Sequence, residues 1–252
     1  MIKIENTKVT GWEPAIRGMR NPMNSWERSD SKWCCCKNSP AVESVEVHKD
    51  PITDHYTCFI IGDNDADLMK RLRNAGTDHR KFMRMITVAM DVTAPLYWWK
   101  EFDTYKVGTV ANSCSTMHKI HGKEFTLEDF SCEHLIQDWE DPNRHIGVVE
   151  KYTPMQRLID TISMLNLCRE KYLIAVKTKP ETGLSAKDIW WQMIQLLPSS
   201  YNQRRTIMLN YEVLANIYKS RRNHKLDEWH TFCEWIENLP YSELITDEKK
   251  EP

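Results

Sequence analysis

The sequence predicts a mixed α/β chain, α+β in organisation, with short strands early and a helical C-terminal half. Three observations carry that reading. Residues 1–57 alternate brief strand-like runs with turn residues. An apolar run through Ile86 to Val92 breaks at Ala94-Pro95 and hands over to an aromatic segment. From Thr153 onward, apolar residues recur at helical spacing, as in Leu158, Ile159, Ile162, Leu165 and Leu173.

In chain order, Lys8 to Trp12 reads as a strand ending near Pro14, and Ala15 to Asn21 as a helical turn at most, stopped by Pro22. Cys58-Phe59-Ile60-Ile61-Gly62 is a buried-strand candidate closed by glycine. Asp63-Asn64-Asp65 supplies N-cap chemistry for a helix over about Ala66 to Asn74, with Leu68, Met69 and Leu72 on its apolar face. A polar, basic turn at Thr77 to Lys81 precedes a long strand, Met83 to Val92. Pro95 falls near the first position of a helix over Leu96 to Phe102. Residues 119–150 are polar and carry several histidines, so loops are expected there, with a short helix around Glu133 to Trp139. Four helices follow: Thr153-Pro154 to about Lys177, Ser185 to Leu197 before Pro198, Gln203 to Ser220, and Leu226 to Asn238. One domain over 1–246 with a charged, disordered tail at 247–252 is the expected organisation.

Composition narrows the function. Lys plus Arg number 34 against 36 Asp plus Glu, a net charge of −2. Binding to a nucleic acid polymer, which draws its affinity from a basic surplus, is therefore not expected, although a pocket for a single phosphate is compatible. No window approaches about 18 uninterrupted apolar residues, so no membrane span is expected. Met1 to Asn6 is mixed and polar, unlike a secretory leader, and a cytoplasmic location is expected. Eight cysteines are present, but Cys34-Cys35-Cys36 lacks CxxC spacing, and neighbouring cysteines do not close a tetrahedral zinc site alone. Reduced thiols, with no metal, are the expectation. There is no P-loop, GxGxxG, HExxH or GxSxG.

The chemistry-bearing residues concentrate after the aromatic helix. Thr104-Tyr105-Lys106, Thr109 and Asn112-Ser113-Cys114-Ser115-Thr116 place hydroxyl, amide, thiol and ammonium groups on one loop. Lys106 suits a phosphate, and loop N–H groups supply directional contacts. Cys114 has the reactivity of a nucleophile, although no Cys-His-acid arrangement is visible around it. His79 sits in the basic turn beside Arg80, Lys81 and Arg84. A second polar group, Asn210, Asn216, Arg221 and Arg222, lies along a C-terminal helix. Asn210 and Asn216 are six residues apart, about 600° around the axis, so they face different neighbours. The pairs Trp98-Trp99 and Trp190-Trp191 read as packing residues.

Taken in order, these pieces resemble the flavin-dependent thymidylate synthases over about Asp63 to Trp235. Those enzymes carry a helix, a Gly-His turn, a strand ending near Ala-Pro, a helix and an Arg-His-Arg-x-x-Ser loop. This chain has Asp67 to Asn74, Gly76 and His79, Met83 to Val92, Ala94-Pro95, Trp98 to Phe102 and Thr104 to Met117. The family then carries Leu-Pro and, twelve residues after the proline, Asn-Ala-Arg-Ser-Leu-x-Asn-Phe. Here Leu197-Pro198 is followed twelve later by Asn210-Tyr211-Glu212-Val213-Leu214-Ala215-Asn216-Ile217, and the family's Leu-Arg falls on Ser220-Arg221. The Arg-His-Arg triplet is Thr104-Tyr105-Lys106, its serine is Thr109, and the phosphate-gripping Ser-Gly-Arg is Cys114-Ser115-Thr116. A family glutamine is Glu101, and the arginine two after the first helical asparagine is Glu212.

The resemblance implies a central, mostly antiparallel sheet packed with helices, and a homotetramer with sites between subunits. It implies FAD as cofactor, NADPH and methylene-tetrahydrofolate as co-substrates, and one-carbon transfer to C5 of a pyrimidine deoxynucleotide, dUMP or a cytosine analogue. His79, Tyr105, Lys106, Thr109, Asn210 and Asn216 then fall on the flavin side, and Glu101, Cys114, Ser115 and Arg221 on the nucleotide side. The alternative is a non-catalytic, nucleotide-binding or structural member of the same fold.

Overall fold

The computed structural model describes residues 2–37, 39–53, 55–137, 153–179 and 183–246. In chain order they form β1 (Lys3–Thr10), α1 (Trp12–Arg20), β2 (Lys32–Cys36), β3 (Ser44–Lys49), β4 (Tyr56–Ile60), α2 (Asp63–Asn74), β5 (Thr87–Pro95) and α3 (Leu96–Phe102). They continue through β6 (Val110–Ser113), α4 (Thr116–Lys119), α5 (Pro154–Thr178), α6 (Ala186–Leu196), β7 (Asn202–Asn210), α7 (Tyr211–Arg221), α8 (Asp227–Glu237) and α9 (Glu243–Thr246). The class is mixed α/β with antiparallel sheets, as expected. One sheet has the order β1-β5-β7-β6 and the other β2-β4-β3. No helix among the described residues is long and apolar enough to cross a membrane. The chain divides into two compact units, one of Ile2–Val92, Asp103–Asn112 and Arg205–Pro252, the other chiefly of Thr93–Phe102 and Ser113–Arg204.

In the first unit, strand alternation does the organising. Val88, Met90 and Val92 of β5 are buried on one face. On the other face the Asp91 carboxylate accepts from Asn6 Nδ2 of β1 at 2.8 Å and from Thr206 Oγ1 of β7 at 2.5 Å. Four sequence expectations fail here for local reasons. The turn at Ala15 to Asn21 is a full helix, α1, because Trp12, Ala15, Ile16 and Met19 recur at helical spacing and all bury. Pro14 lies in its first turn, where a missing N–H costs nothing, and so does not end a strand. The strand expected from Met83 begins at Thr87, since Arg80–Arg84 is a 3-10 turn that buries the adjacent Phe82 and Met83. Residues 202–210 are strand β7 rather than helix: Ile207 and Leu209 bury while Thr206 and Met208 face outward.

The start of α2 also differs from expectation. Its cap is not an aspartate of its own first turn but Asp30, whose carboxylate accepts from Asn64 N at 2.9 Å and Asp65 N at 3.1 Å. Gly62 makes room for it: a Cβ there would lie 2.2 Å from Asp30 Cγ.

In the second unit, α5 packs Leu158, Ile162, Leu165, Cys168 and Ala175 with Ile189 and Met193 of α6 and with Phe125 and Phe130. Thr153 caps α5 through Gln156 N, and Ser185 with Asp188 forms the capping box of α6. Residues 121–125 are tied to α5 by side chains that replace backbone partners. Asn166 accepts from Phe125 N at 2.8 Å and donates to Phe125 O at 2.9 Å, while Arg169 Nε donates to His121 O at 3.0 Å. Trp98 and Trp99 are core residues, 0% and 1% exposed, and Trp98 stacks on Phe102 at 5.1 Å. Residues 131–137 form no helix; Asp138 and Trp139, the rest of the helix expected there, lie outside the described residues, as does the tail 247–252.

Candidate functional site

Helix α7 begins at a residue that does two jobs. Asn210 ends β7 and caps α7, its Oδ1 accepting from Val213 N at 3.0 Å. That bond uses the carbonyl end of the side chain and leaves the amide nitrogen turned toward the loop 106–109. Gly108 closes on it with φ +79; a Cβ there would lie 3.0 Å from Asn210 Nδ2 and 3.1 Å from Val213 Cγ2. Only glycine adopts this backbone at this approach without strain. The turn is completed by Thr109 N donating to Lys106 O at 3.3 Å.

Between these segments lies a cleft of about 310 Å³ lined by Thr87, Gly108, Thr109, Val110, Met208, Leu209 and Asn210. Thr109 Oγ1 is buried in its lining and has no hydrogen-bond partner among the described residues. A buried hydroxyl left this way costs about 1–3 kcal/mol, so it calls for a polar partner that the described residues do not supply.

Two further ties fasten the two ends of α7. Arg221, at the end of α7, donates from Nε to Tyr105 OH at 2.9 Å, and its guanidinium lies 4.8 Å from the Trp229 ring centroid. At the start of α7, the Glu212 carboxylate accepts from Arg84 Nε at 2.5 Å and lies 3.4 Å from Arg80 Nε. Glu212 is buried, and its hydrogen bond raises the Arg84 pKa above the ordinary guanidinium value. The basic turn that begins at His79 is thereby fastened to α7. Arg221→Ala is expected to lower unfolding free energy by about 1–3 kcal/mol, through the lost Tyr105 bond and the ring contact. Urea denaturation measures it, and an unchanged midpoint would show that the arginine is not held this way.

The residues singled out in the sequence separate into three groups. Thr109 and Asn210 line the cleft together, while Tyr105 and Arg221 pair with each other at the C-terminal end of α7. His79 opens the 3-10 turn with its N–H bonded to Gly76 O at 3.1 Å, while Lys106 and Asn216 are exposed. Glu101, Cys114 and Ser115 belong to the other unit. There Glu101 is half-buried on α3. Cys114 donates from N to Arg204 O at 2.9 Å, its carbonyl accepts from Gln203 Nε2 at 3.1 Å, and the Ser115 hydroxyl accepts from His118 N as the cap of α4.

No protein-family model and no curated protein matches the sequence. Solved structures do. Thymidylate synthase X (ThyX) from Helicobacter pylori with FAD and dUMP aligns over 98% of this chain and 97% of its own, with TM-score 0.59 and 12% identity. A further complex of flavin-dependent thymidylate synthase ThyX from Helicobacter pylori with FAD and dUMP gives 0.57 at 12% identity, covering 97% of each chain. The UMP/dUMP methylase PolB from Streptomyces cacaoi, bound with 5-Br dUMP, gives 0.53 at 13% identity, covering 98% and 95%. The chain has the fold of thymidylate synthase X.

Within that fold, sequence reading passed over Gly108, Trp229 and the joint role of Arg80, Arg84 and Glu212. Gly108 carried a signal: an isolated glycine between Lys106 and Thr109 marks a close backbone approach. The Glu212 partnership was legible as charge complementarity, an acid at the start of one helix and a turn of basic residues upstream. Trp229 gave none, because a tryptophan on an amphipathic helix looks the same whether or not a guanidinium covers it.

Proposed function

We propose that the protein binds FAD and a pyrimidine deoxynucleotide, dUMP or a cytosine analogue, and transfers a one-carbon unit to C5 of the base. The carrying observation is the cleft shared by Thr109 and Asn210, segments a hundred residues apart, with a buried hydroxyl that has no partner among the described residues. Its support is a fold found in proteins solved with FAD and dUMP.

The residues present fit a flavin. A heteroaromatic ring system edged by carbonyl and ring-nitrogen groups satisfies the Thr109 hydroxyl and the Asn210 amide, while Met208, Val110 and Leu209 supply the apolar lining that such sites use. Lys106, exposed on the same loop, suits a phosphate. Flavin, when bound, supplies hydride transfer. The protein's part is orientation: Gly108 and the capped end of α7 set the cleft walls, and Arg221 holds Tyr105. At about 310 Å³ the cleft stands at the lower end of ligand pockets, about 300–1,000 Å³. A single chain therefore supplies part of a dinucleotide site, in keeping with a homotetramer that completes it. NADPH and methylene-tetrahydrofolate are the proposed co-substrates.

Titration with FAD is expected to show one equivalent per chain by quenching of flavin fluorescence. Thr109→Val removes the hydroxyl at constant shape. It is expected to leave the ligand-free Tm unchanged or slightly raised and to weaken FAD about tenfold. Failure of the wild-type chain to bind FAD overturns the proposal. Binding of dUMP or dCMP without flavin reoxidation by the folate donor assigns the non-catalytic role instead.

A further inference from the structure

The sheet β2-β4-β3 gathers three cysteines that the sequence keeps apart. Cys34 and Cys36 are two residues apart on β2 and so share a face. The antiparallel register sets Cys58 of β4 directly opposite Cys34. The three Sγ atoms lie within 4.8 Å of one another, with Cys34 and Cys36 at 3.8 Å. Sulfurs at the corners of a zinc tetrahedron, with bonds of about 2.3 Å, stand about 3.8 Å apart. The separation also excludes a disulfide between Cys34 and Cys36, which needs about 2.05 Å.

We infer that Cys34, Cys36 and Cys58 form a three-thiolate site for a thiophilic divalent cation of the zinc type, with a fourth position open to water or an added ligand. The chemistry of the donors selects such an ion, since soft sulfur ligands favour zinc and cuprous copper over magnesium or calcium. Cys58 is fully buried, whereas Cys34 and Cys36 are half-exposed, so the ion has an entry path from the solvent side. Binding exchanges three thiol protons for one dication and leaves a net charge of −1 on the complex. Cys35 is exposed and alternates to the other face, and so serves as an internal control.

The test uses the full-length protein, reduced and stripped by a chelator, and titrated with Co²⁺. One equivalent is expected to produce sulfur-to-cobalt charge-transfer absorption and the visible bands of a tetrahedral site, both abolished by added Zn²⁺. Cys34→Ser, Cys36→Ser and Cys58→Ser are each expected to weaken binding at least about tenfold, and Cys35→Ser to leave it unchanged. Should the buried Cys58→Ser chain misfold, Cys36→Ser decides, checked by circular dichroism. Zn²⁺ is expected to raise the Tm of wild type and Cys35→Ser but not of Cys36→Ser. Absence of cobalt–thiolate absorption, equal loss in Cys35→Ser, or a Cys34–Cys58 disulfide in the freshly isolated protein overturns the inference.

Discussion

Replacing Gly108 by valine is expected to weaken FAD binding about a hundredfold while the chain stays folded. Two costs combine. At φ +79 an L-residue pays about 1–2 kcal/mol, and a β-branched one more. The new Cβ would meet Asn210 Nδ2 at 3.0 Å and Val213 Cγ2 at 3.1 Å, both tighter than ordinary packing. The exposed loop yields before the buried first turn of α7 does, so it lifts from Asn210 and carries Thr109 out of the cleft lining. A loss near 2.8 kcal/mol is a hundredfold in affinity. Gly183→Ala is the control, at φ +94 with nothing within 4 Å of the added carbon. It carries backbone strain alone and should leave FAD affinity untouched. Fluorescence titration with thermal melts separates the two, and wild-type affinity in Gly108→Val would dissociate the 106–109 turn from the flavin site.

What could be read in advance divides by the range of the interaction. Local signals served well. Ser185 with Asp188, Thr153-Pro154 and Pro95 marked helix starts that the structure keeps, because capping and proline geometry act within one turn. The failures are places where a nearby residue was given a role that a distant one performs. The aspartates after Gly62 looked like caps, yet Asp30 caps α2 from across the fold. The sequence pattern puts Asn210 inside a helix, yet it ends strand β7 and caps α7. Cys34-Cys35-Cys36 held a period-2 signal that puts the outer two on one face, but nothing local announces Cys58 opposite. The candidate site shows the same division. The loop 104–109 stood out by composition, whereas its closure on Asn210 depends on a register between segments a hundred residues apart.

Asp65→Ala is expected to lower unfolding free energy by about 3–5 kcal/mol, because it strands Arg20 as an unpaired buried charge. The carboxylate is 0% exposed and Arg20 is 4% exposed. Oδ1 accepts from Arg20 Nε at 2.6 Å; Oδ2 accepts from Ser29 Oγ at 2.7 Å, Ser31 Oγ at 2.6 Å, Ser31 N at 3.0 Å and Asp30 N at 3.2 Å. Burial by itself pushes this carboxyl's pKa up; the hydrogen bonds from Ser31, Ser29 and Arg20 outweigh it and hold it below the ordinary value. A depressed folded-state pKa contributes stability that is complete above the unfolded value, about 3.9, and is lost as pH falls through the folded one. The deficit of Asp65→Asn relative to wild type should therefore be constant near pH 7 and shrink below about pH 4. The double variant Arg20→Met, Asp65→Leu removes both charges but leaves the Ser29, Ser31 and Asp30 donors unmet, so it is expected to recover only the part of the loss due to the stranded Arg20. Urea denaturation of the three variants at pH 7 and pH 3 reads all of this. A double variant no more stable than Asp65→Ala would locate the stabilisation in the serine hydrogen bonds, which pin the segment 29–31 at the entrance to β2, rather than in the pairing of charge.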